Sequence, residues 1–391
     1  MDWCTKVNRG NDVRSKRPKV LHLLNAMGTD PGPSGRAAHI SNETFEVVLC
    51  SYYSVRPDII ANRQAYGKRV EALDAKGRLD LLAWLRLYRL LRRGQFDVVH
   101  THHNLSGILG RVLGKIAGVP IIVNSNGTVH TRFPIPVRVA KGLTLPLADA
   151  HVFVSRAVER SFSWWEKLLC ARRKRIVIYN GVDIRAIDQA ASEAKKTRKQ
   201  LGLAEDAFVV GHVGRLIPLK NQTTLLKAFA VIGREHAEAR LIIVGQGPMA
   251  NDLKSDARAL NIHDKTVFTG FVSLEETYAI FNLIDVFAMT SFAEGFSKVV
   301  LEAMAARKPV VATDIMAFRE AVIDGVTGRI VPLQDPESLA NALLSLCEDP
   351  KTARAMGAAG RQRVEENFLI EKTASEYENL YWELLEQRGM V

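Results

Sequence analysis

Two glutamates, Glu294 and Glu302, stand in one largely apolar stretch of this sequence with seven residues between them. The stretch reads TSFAEGFSKVVLEAMAARKPVVATD over residues 290–314. A run of strand length at 285–291 precedes the first glutamate, and a helical pattern opens after a short loop, with Ser297 as its capping candidate. Such a junction aims backbone N–H groups and the positive end of a helix dipole into the space above it, which suits a diphosphate. Glu294 would sit at the helix mouth, within reach of a sugar hydroxyl. Glu302, about five residues into the helix, would lie ~7 Å deeper at ~1.5 Å per residue, about the step from a diphosphate to a ribose. The competing reading is two ordinary surface glutamates on a helix.

The elements that position this pair follow from the apolar pattern. Strands are predicted at 19–25, 45–53, 96–102, 121–127, 150–155 and 176–183, and helices at 78–94 (stopped by Gly94) and 105–117. After a polar stretch at 188–200 the pattern restarts. Strands are predicted at 208–216, 239–247, 265–272, 285–291 and 308–314, separated by helices at 221–236, 249–260, 275–283 and 297–306, with another helix at 336–348. Alternating strands and helices in both halves predict an α/β protein of two Rossmann-like domains with parallel sheets facing across a cleft. The expected division is a disordered basic arm (1–18), an N-terminal domain (19–185), a C-terminal domain (186–367) and a last segment (368–391).

The 391 residues exceed one ordinary domain. Residues 1–185 hold 30 Lys and Arg against 14 Asp and Glu, whereas residues 186–391 hold 23 against 28. A basic half beside a slightly acidic one implies a face that meets an anionic partner: nucleic acid, an anionic membrane or a phosphorylated acceptor. Four cysteines without a CxxC pair point to free thiols in a reducing cytosol. The first residues lack the apolar core of a signal peptide, and no uncharged apolar run reaches bilayer length.

The segment EGFSKVVLEAMAARKPVVATD resembles the EX7E signature of the retaining family-4 glycosyltransferases, which have the GT-B fold. DGVTGRIVPLQDPESLANAL continues the pattern, and VGRLIPLKNQTTLLKAF resembles the family's phosphate-binding segment. The resemblance is dense over roughly 176–345 and partial over 19–160. It implies a nucleotide-sugar donor in the C-terminal domain and an acceptor in the N-terminal one. By resemblance Gly214, Arg215 and Lys220 would receive the leaving diphosphate together with Gly295, Phe296 and Ser297 at the helix start. Glu294 would hold the sugar, Glu302 the ribose, and Phe271 and Val272 would border the base. The C-terminal EKTASEYENLYWELL resembles the family's last helix, which crosses back to the N-terminal domain. Where the family commonly has a His that helps hold the sugar, this chain has Asn126, with His130 as a candidate substitute. Arg307, Met316 and Ala317 also stand where the family usually has glycine. Gly35, in a short glycine-bearing loop, is the candidate for close approach to the donor phosphate.

Other signals compete. The GxGxxA run at 245–250 nearly matches a dinucleotide fingerprint but stands alone. His100, His102 and His103 end a buried strand with no carboxylate at ligand spacing; the expectation is cleft-edge histidines, with His102 and His103 on the acceptor side and no metal. No DxD triplet occurs, so side-chain cations would replace a divalent ion. Trp164 and Trp165 beside Arg172–Arg175, and the arginines of the 78–94 helix, suit a membrane surface, while no aromatic–basic interleaving of an RNA module is found. The reading is a cytoplasmic glycosyltransferase, peripheral on the inner membrane face. It would use a UDP- or GDP-sugar and a glycolipid or polysaccharide acceptor, with no cofactor. A sugar-nucleotide epimerase of the same fold, or a degenerate binding protein, remains open beside it.

Overall fold

The computed structural model describes residues 17–28, 32–130, 133–192, 198–204 and 206–391. The proposed basic arm lies outside them except for Arg17 and Pro18. Seven strands form the first sheet: β1 (Lys19–Leu24), β2 (Glu46–Ser51), β3 (Arg69–Ala72), β4 (Val98–Thr101), β5 (Ile121–Asn126), β6 (Ala150–Phe153) and β7 (Lys174–Val177). Six form the second: β8 (Val209–Val213), β9 (Arg240–Val244), β10 (Thr266–Gly270), β11 (Val286–Met289), β12 (Val310–Thr313) and β13 (Gly328–Val331). Their orders are β3-β2-β1-β4-β5-β6-β7 and β10-β9-β8-β11-β12-β13, with parallel pairings throughout. Each sheet thus reverses its winding once, between β1 and β4 and between β8 and β11. A crevice opens at such a reversal, beyond the carboxyl ends of the strands. The α/β class and the two parallel sheets are as the apolar pattern predicted.

The central strands are apolar along their length because helices cover both faces. In the first sheet Val20, Leu24 and Val98 pack on one side, whereas Leu21, Leu23 and Val99 pack on the other. The helix Ile370–Gln387 completes the first of these layers, although it follows the second sheet in sequence. Its Tyr377, Leu380, Tyr381 and Leu384 pack with Val20, Phe45 and Val123. The chain returns along Val182, whose N–H donates to the Phe368 carbonyl at 2.9 Å.

One boundary differs from expectation. The helix Leu81–Gly94, started by Asp80 accepting from the Ala83 N–H at 3.0 Å, does not stop through Gly94. Gln95 takes the left-handed turn at φ 50°. Gly94 is small for another reason: a β-carbon there would lie 2.1 Å from the Phe96 ring.

Candidate active site

The loops after β8, β9, β10 and β11 enclose a cleft of about 920 Å³ at the winding reversal of the second sheet. Gly214, Arg215, Lys220, Phe271, Val272, Glu294, Phe296, Ser297 and Glu302, predicted separately along the chain, all line it. Thr290, at the end of β11, bridges two loops by donating to the Lys220 and Asn221 carbonyls at 2.9 Å each. Lys220 thereby reaches Glu294: its ammonium group pairs with Glu294 Oε1, which also accepts from the Ser291 hydroxyl at 2.8 Å. Glu302, 5% exposed, accepts from Tyr278 OH at 3.1 Å and pairs with Lys298 at 2.8 Å. Arg215 is exposed at the cleft and has no ion-pair partner among the described residues. Three cations therefore line the cleft against two carboxylates. Ser297 occupies the N-cap position of the helix Lys298–Ala305, but its side chain makes no capping bond. The predicted capping role is corrected accordingly, and the first-turn N–H groups carry no side-chain cap.

Lys298 and Tyr278 were missed in the sequence, and Gly245 and Gly247, noted there as a near dinucleotide fingerprint, line this cleft instead. Lys298 stands four residues before Glu302, a spacing that pairs opposite charges on a helix and was there to be read. The glycines of the GxGxxA run serve backbone packing. A β-carbon on Gly245 would lie 2.0 Å from the Gly214 carbonyl oxygen, and one on Gly247 would lie 2.3 Å from that of Leu216.

The two sheets meet beside this cleft. A β-carbon on Gly295 would stand 2.1 Å from the Gly127 carbonyl oxygen, at the end of β5. Ser155 donates to the Gly295 carbonyl at 2.5 Å and Asn180 to the Phe296 carbonyl at 3.4 Å. The Glu320 carboxylate accepts from the Arg156 and Ala157 N–H groups at 2.9 and 2.7 Å and from Tyr179 OH at 2.9 Å. Across this seam lies a second cavity of about 260 Å³, bordered by Arg36, His102, His103, Gly127, Lys141 and Asn180 among others.

Three predicted residues need correction. Asn126 is 1% exposed and lines neither cavity. Its amide donates to the Val152 carbonyl at 3.2 Å and accepts from Asn124 at 3.2 Å, so it is spent within the sheet. His130 is fully buried, between Glu166 at 2.8 Å and Lys141 at 2.6 Å, with its ring stacked 3.8 Å from that of Phe162. Burial and the Lys141 charge hold its pKa down at about 3, so the ring is neutral and links the two charges. Gly35 is buried in the short helix Pro33–Ala38, whose Pro33 and Arg36 border the smaller cavity rather than the cleft.

His102 and His103 do border the smaller cavity. The histidines that cluster are His22, His100 and His102, whose ligand-type atoms lie within 4.8 Å of one another. His103 turns away at φ 62° and accepts from the Asn25 N–H at 3.3 Å.

Two family models match the chain: Glycosyltransferase Family 4 over residues 37–186 and Glycosyl transferases group 1 over 193–363. The chain is 29% identical over 317 residues to the Escherichia coli UDP-Gal:alpha-D-GlcNAc-diphosphoundecaprenol alpha-1,3-galactosyltransferase, covering 78% of this chain and 80% of that protein. It is 30% identical over 301 residues to a Kribbella flavida D-inositol 3-phosphate glycosyltransferase, covering 71% and 69%. Among solved structures, Anabaena Alr3699/HepE in complex with UDP superposes with a TM-score of 0.76 at 22% identity, over 93% of this chain and 99% of that one. Sucrose-phosphate synthase from Thermosynechococcus elongatus superposes with a TM-score of 0.80 at 22% identity, over 95% and 100%. With the two-sheet fold, the cleft at its reversal and both family models in agreement, the chain belongs to the family-4 glycosyltransferases and is a glycosyltransferase of the GT-B type.

Proposed function

We propose that this protein transfers a hexosyl group from a UDP- or GDP-sugar to a hydroxyl of a glycolipid or polysaccharide acceptor, with retention of configuration and without a metal ion. The observation that carries the reading is the Gly295–Gly127 seam, which sets the large cleft and the smaller cavity side by side. The donor occupies the cleft. Arg215, Lys220 and the uncapped start of the Lys298–Ala305 helix take the charge of the departing diphosphate, the largest electrostatic demand of the step. Glu294 holds the sugar, Glu302 the ribose, and Phe271 and Val272 border the base. Each carboxylate already has an ammonium partner, so cationic side chains supply the neutralisation that a divalent ion would otherwise give. The hydroxyl enters from the smaller cavity on the face that the diphosphate leaves. The Anabaena protein was solved with UDP-glucose, and the Escherichia coli relative is named for a lipid-linked acceptor, which supports this choice of substrates.

The acceptor side also carries a surface suited to an anionic membrane. The helices Leu81–Gly94, Leu105–Ala117, Ile135–Leu143 and Trp164–Leu169 pack in that sequence over the first sheet. Leu81, Leu82, Ile135, Leu143, Trp164 and Leu168 are each at least two-thirds exposed. Arg86, Arg89 and Arg93 share the first of these helices. Trp165 instead packs against Gly142, where a β-carbon would lie 2.2 Å from its ring. Apolar side chains interleaved with arginine fit the interface of an anionic bilayer. No helix among the described residues is long and apolar enough to cross a membrane. The localisation proposed is therefore peripheral, on the cytoplasmic face.

The test is product analysis with UDP- and GDP-hexoses, lipid-linked and polysaccharide acceptors, and a chelator. A glycoside with the donor's anomeric configuration supports the reading. An inverted product, or transfer that needs added metal, contradicts it.

A further inference from the structure

The smaller cavity holds charge that nothing else in the described structure explains. Arg36 is 5% exposed, yet its guanidinium has no hydrogen bond or ion pair among the described residues. Its Nε is buried without a partner. A guanidinium this poorly solvated, with no counter-charge among the described residues, gains from a ligand that supplies the anion. Lys141, 3% exposed, borders the same cavity.

A second, independent observation comes from the histidines. His102, 2% exposed, borders the cavity, and its Nδ1 is buried without a partner. Its Nε2 lies 3.0 Å from His22 Nδ1, and His22 Nε2 lies 3.2 Å from Tyr381 OH. That hydroxyl lies 2.5 Å from His100 Nδ1, and His100 Nε2 lies 2.7 Å from the Ser125 hydroxyl. Burial, with the charges of Lys68 and Arg36 behind it, holds His22 at a pKa of about 3, and burial holds the other two rings well below their usual range. Each neutral ring offers one donor and one acceptor. The bonds can therefore run one way: Ser125 O–H to His100, His100 N–H to Tyr381, Tyr381 O–H to His22, and His22 N–H to His102. His102 Nδ1–H is then left to donate into the cavity. An anion there selects this direction and satisfies the one orphaned end.

We propose that this 260 Å³ cavity is the anion subsite of the acceptor, and that it takes a phosphate or diphosphate group on Arg36, Lys141 and His102. The word acceptor rests on the glycosyl-transfer reading above; the anion site stands on its own geometry. It narrows the acceptor to one whose hydroxyl lies close to a phosphate, on a lipid-linked sugar or on a free sugar or polyol phosphate.

The test titrates inorganic phosphate by calorimetry into the full chain carrying Arg215→Ala and Lys220→Ala, which removes the cleft's own phosphate-binding cations. Millimolar binding is expected, weakened about 30-fold or more by Arg36→Gln and less by Arg36→Lys. The melting temperature of Arg36→Gln without phosphate should equal or exceed that of its parent, because a buried unpaired charge has been removed. Equal affinity in the Arg36→Gln chain, absence of binding in its parent, or a loss of binding that accompanies a lowered melting temperature would each overturn the proposal. UDP titrated into the Arg36→Gln and Lys220→Ala single variants reads the donor cleft separately. If UDP fails to bind any form, the donor reading falls while the phosphate result stands. Phosphatidic acid vesicles identify the source: Arg36-dependent binding supports a lipid-borne phosphate, and Arg36-independent binding beside intact phosphate affinity supports a soluble one.

Discussion

Gly295 meets Gly127 so closely that a β-carbon on Gly295 would stand 2.1 Å from the Gly127 carbonyl oxygen. This contact joins the loop after β11, with Glu294 on one side and Phe296 on the other, to the end of β5. In the proposed reaction it sets how far the donor's sugar lies from the acceptor. Gly295→Ala must push the two loops apart. Misplacement on the order of 1 Å costs ~100-fold in rate, so kcat/KM should fall by about that factor. UDP affinity, assigned to the second domain in the proposed function, should stay within a few-fold. Steady-state kinetics beside UDP calorimetry checks both.

Lys220 and Glu294 are each 15% exposed and paired across the floor of the cleft. In the proposed mechanism Lys220→Ala removes a charge needed most when the diphosphate departs. Turnover should drop about 100- to 1,000-fold, by analogy with the loss of a single oxyanion donor. A melting temperature within a few degrees of the parent's would show that the effect is local.

Tyr381 joins the last helix to the first sheet through His22 and His100. Tyr381→Phe leaves two fully buried imidazoles each short of a partner. A buried polar group without its bond costs about 1–3 kcal/mol. Urea unfolding should show a loss of that size, with little change in UDP affinity.

Lys141 has a pKa lowered to about 7, first by burial and then by the Arg111 charge; Glu166 and Cys170 act in the opposite sense. His130, its direct partner, is neutral across the same range. Because the folded pKa is below the unfolded one, the cost of charging Lys141 is fully present below pH 7. It is relieved as pH rises from about 7 toward the ordinary lysine value. The stability of the wild type relative to Lys141→Met should therefore rise over that window, by at most ~1.4 kcal/mol per pH unit. Urea midpoints of the two chains between pH 6 and 9 measure it. Phosphate affinity should move the opposite way, weakening above pH 7 in the wild type and staying flatter in Lys141→Met.

The buried strands were legible because both their faces are covered, which leaves apolar runs bounded by turns. The edge strands β3 and β13 were not. Arg69–Ala72 reads RVEA and Gly328–Val331 reads GRIV, too short and too mixed to stand out. The cleft was legible partly through the strand–loop–helix setting of Glu294 and Glu302, and for Arg215, Lys220, Phe271 and Val272 through the resemblance to the family-4 segments. Asn126 was not, because its role depends on which way a β5 side chain points, and it points into the Asn124–Val152 network. Arg36 left no trace in the sequence at all. Its isolation arises only when residues far apart in the chain enclose it.

The most direct test of the central claim is calorimetric titration of UDP, GDP and ADP into the wild type and Glu302→Ala in the presence of a chelator. Saturable binding of UDP or GDP that weakens about tenfold or more in Glu302→Ala is the predicted result, matching the loss of a charged hydrogen bond to ribose. Binding of no nucleotide, or equal binding by both chains, would contradict the assignment of the cleft to a nucleotide-sugar donor.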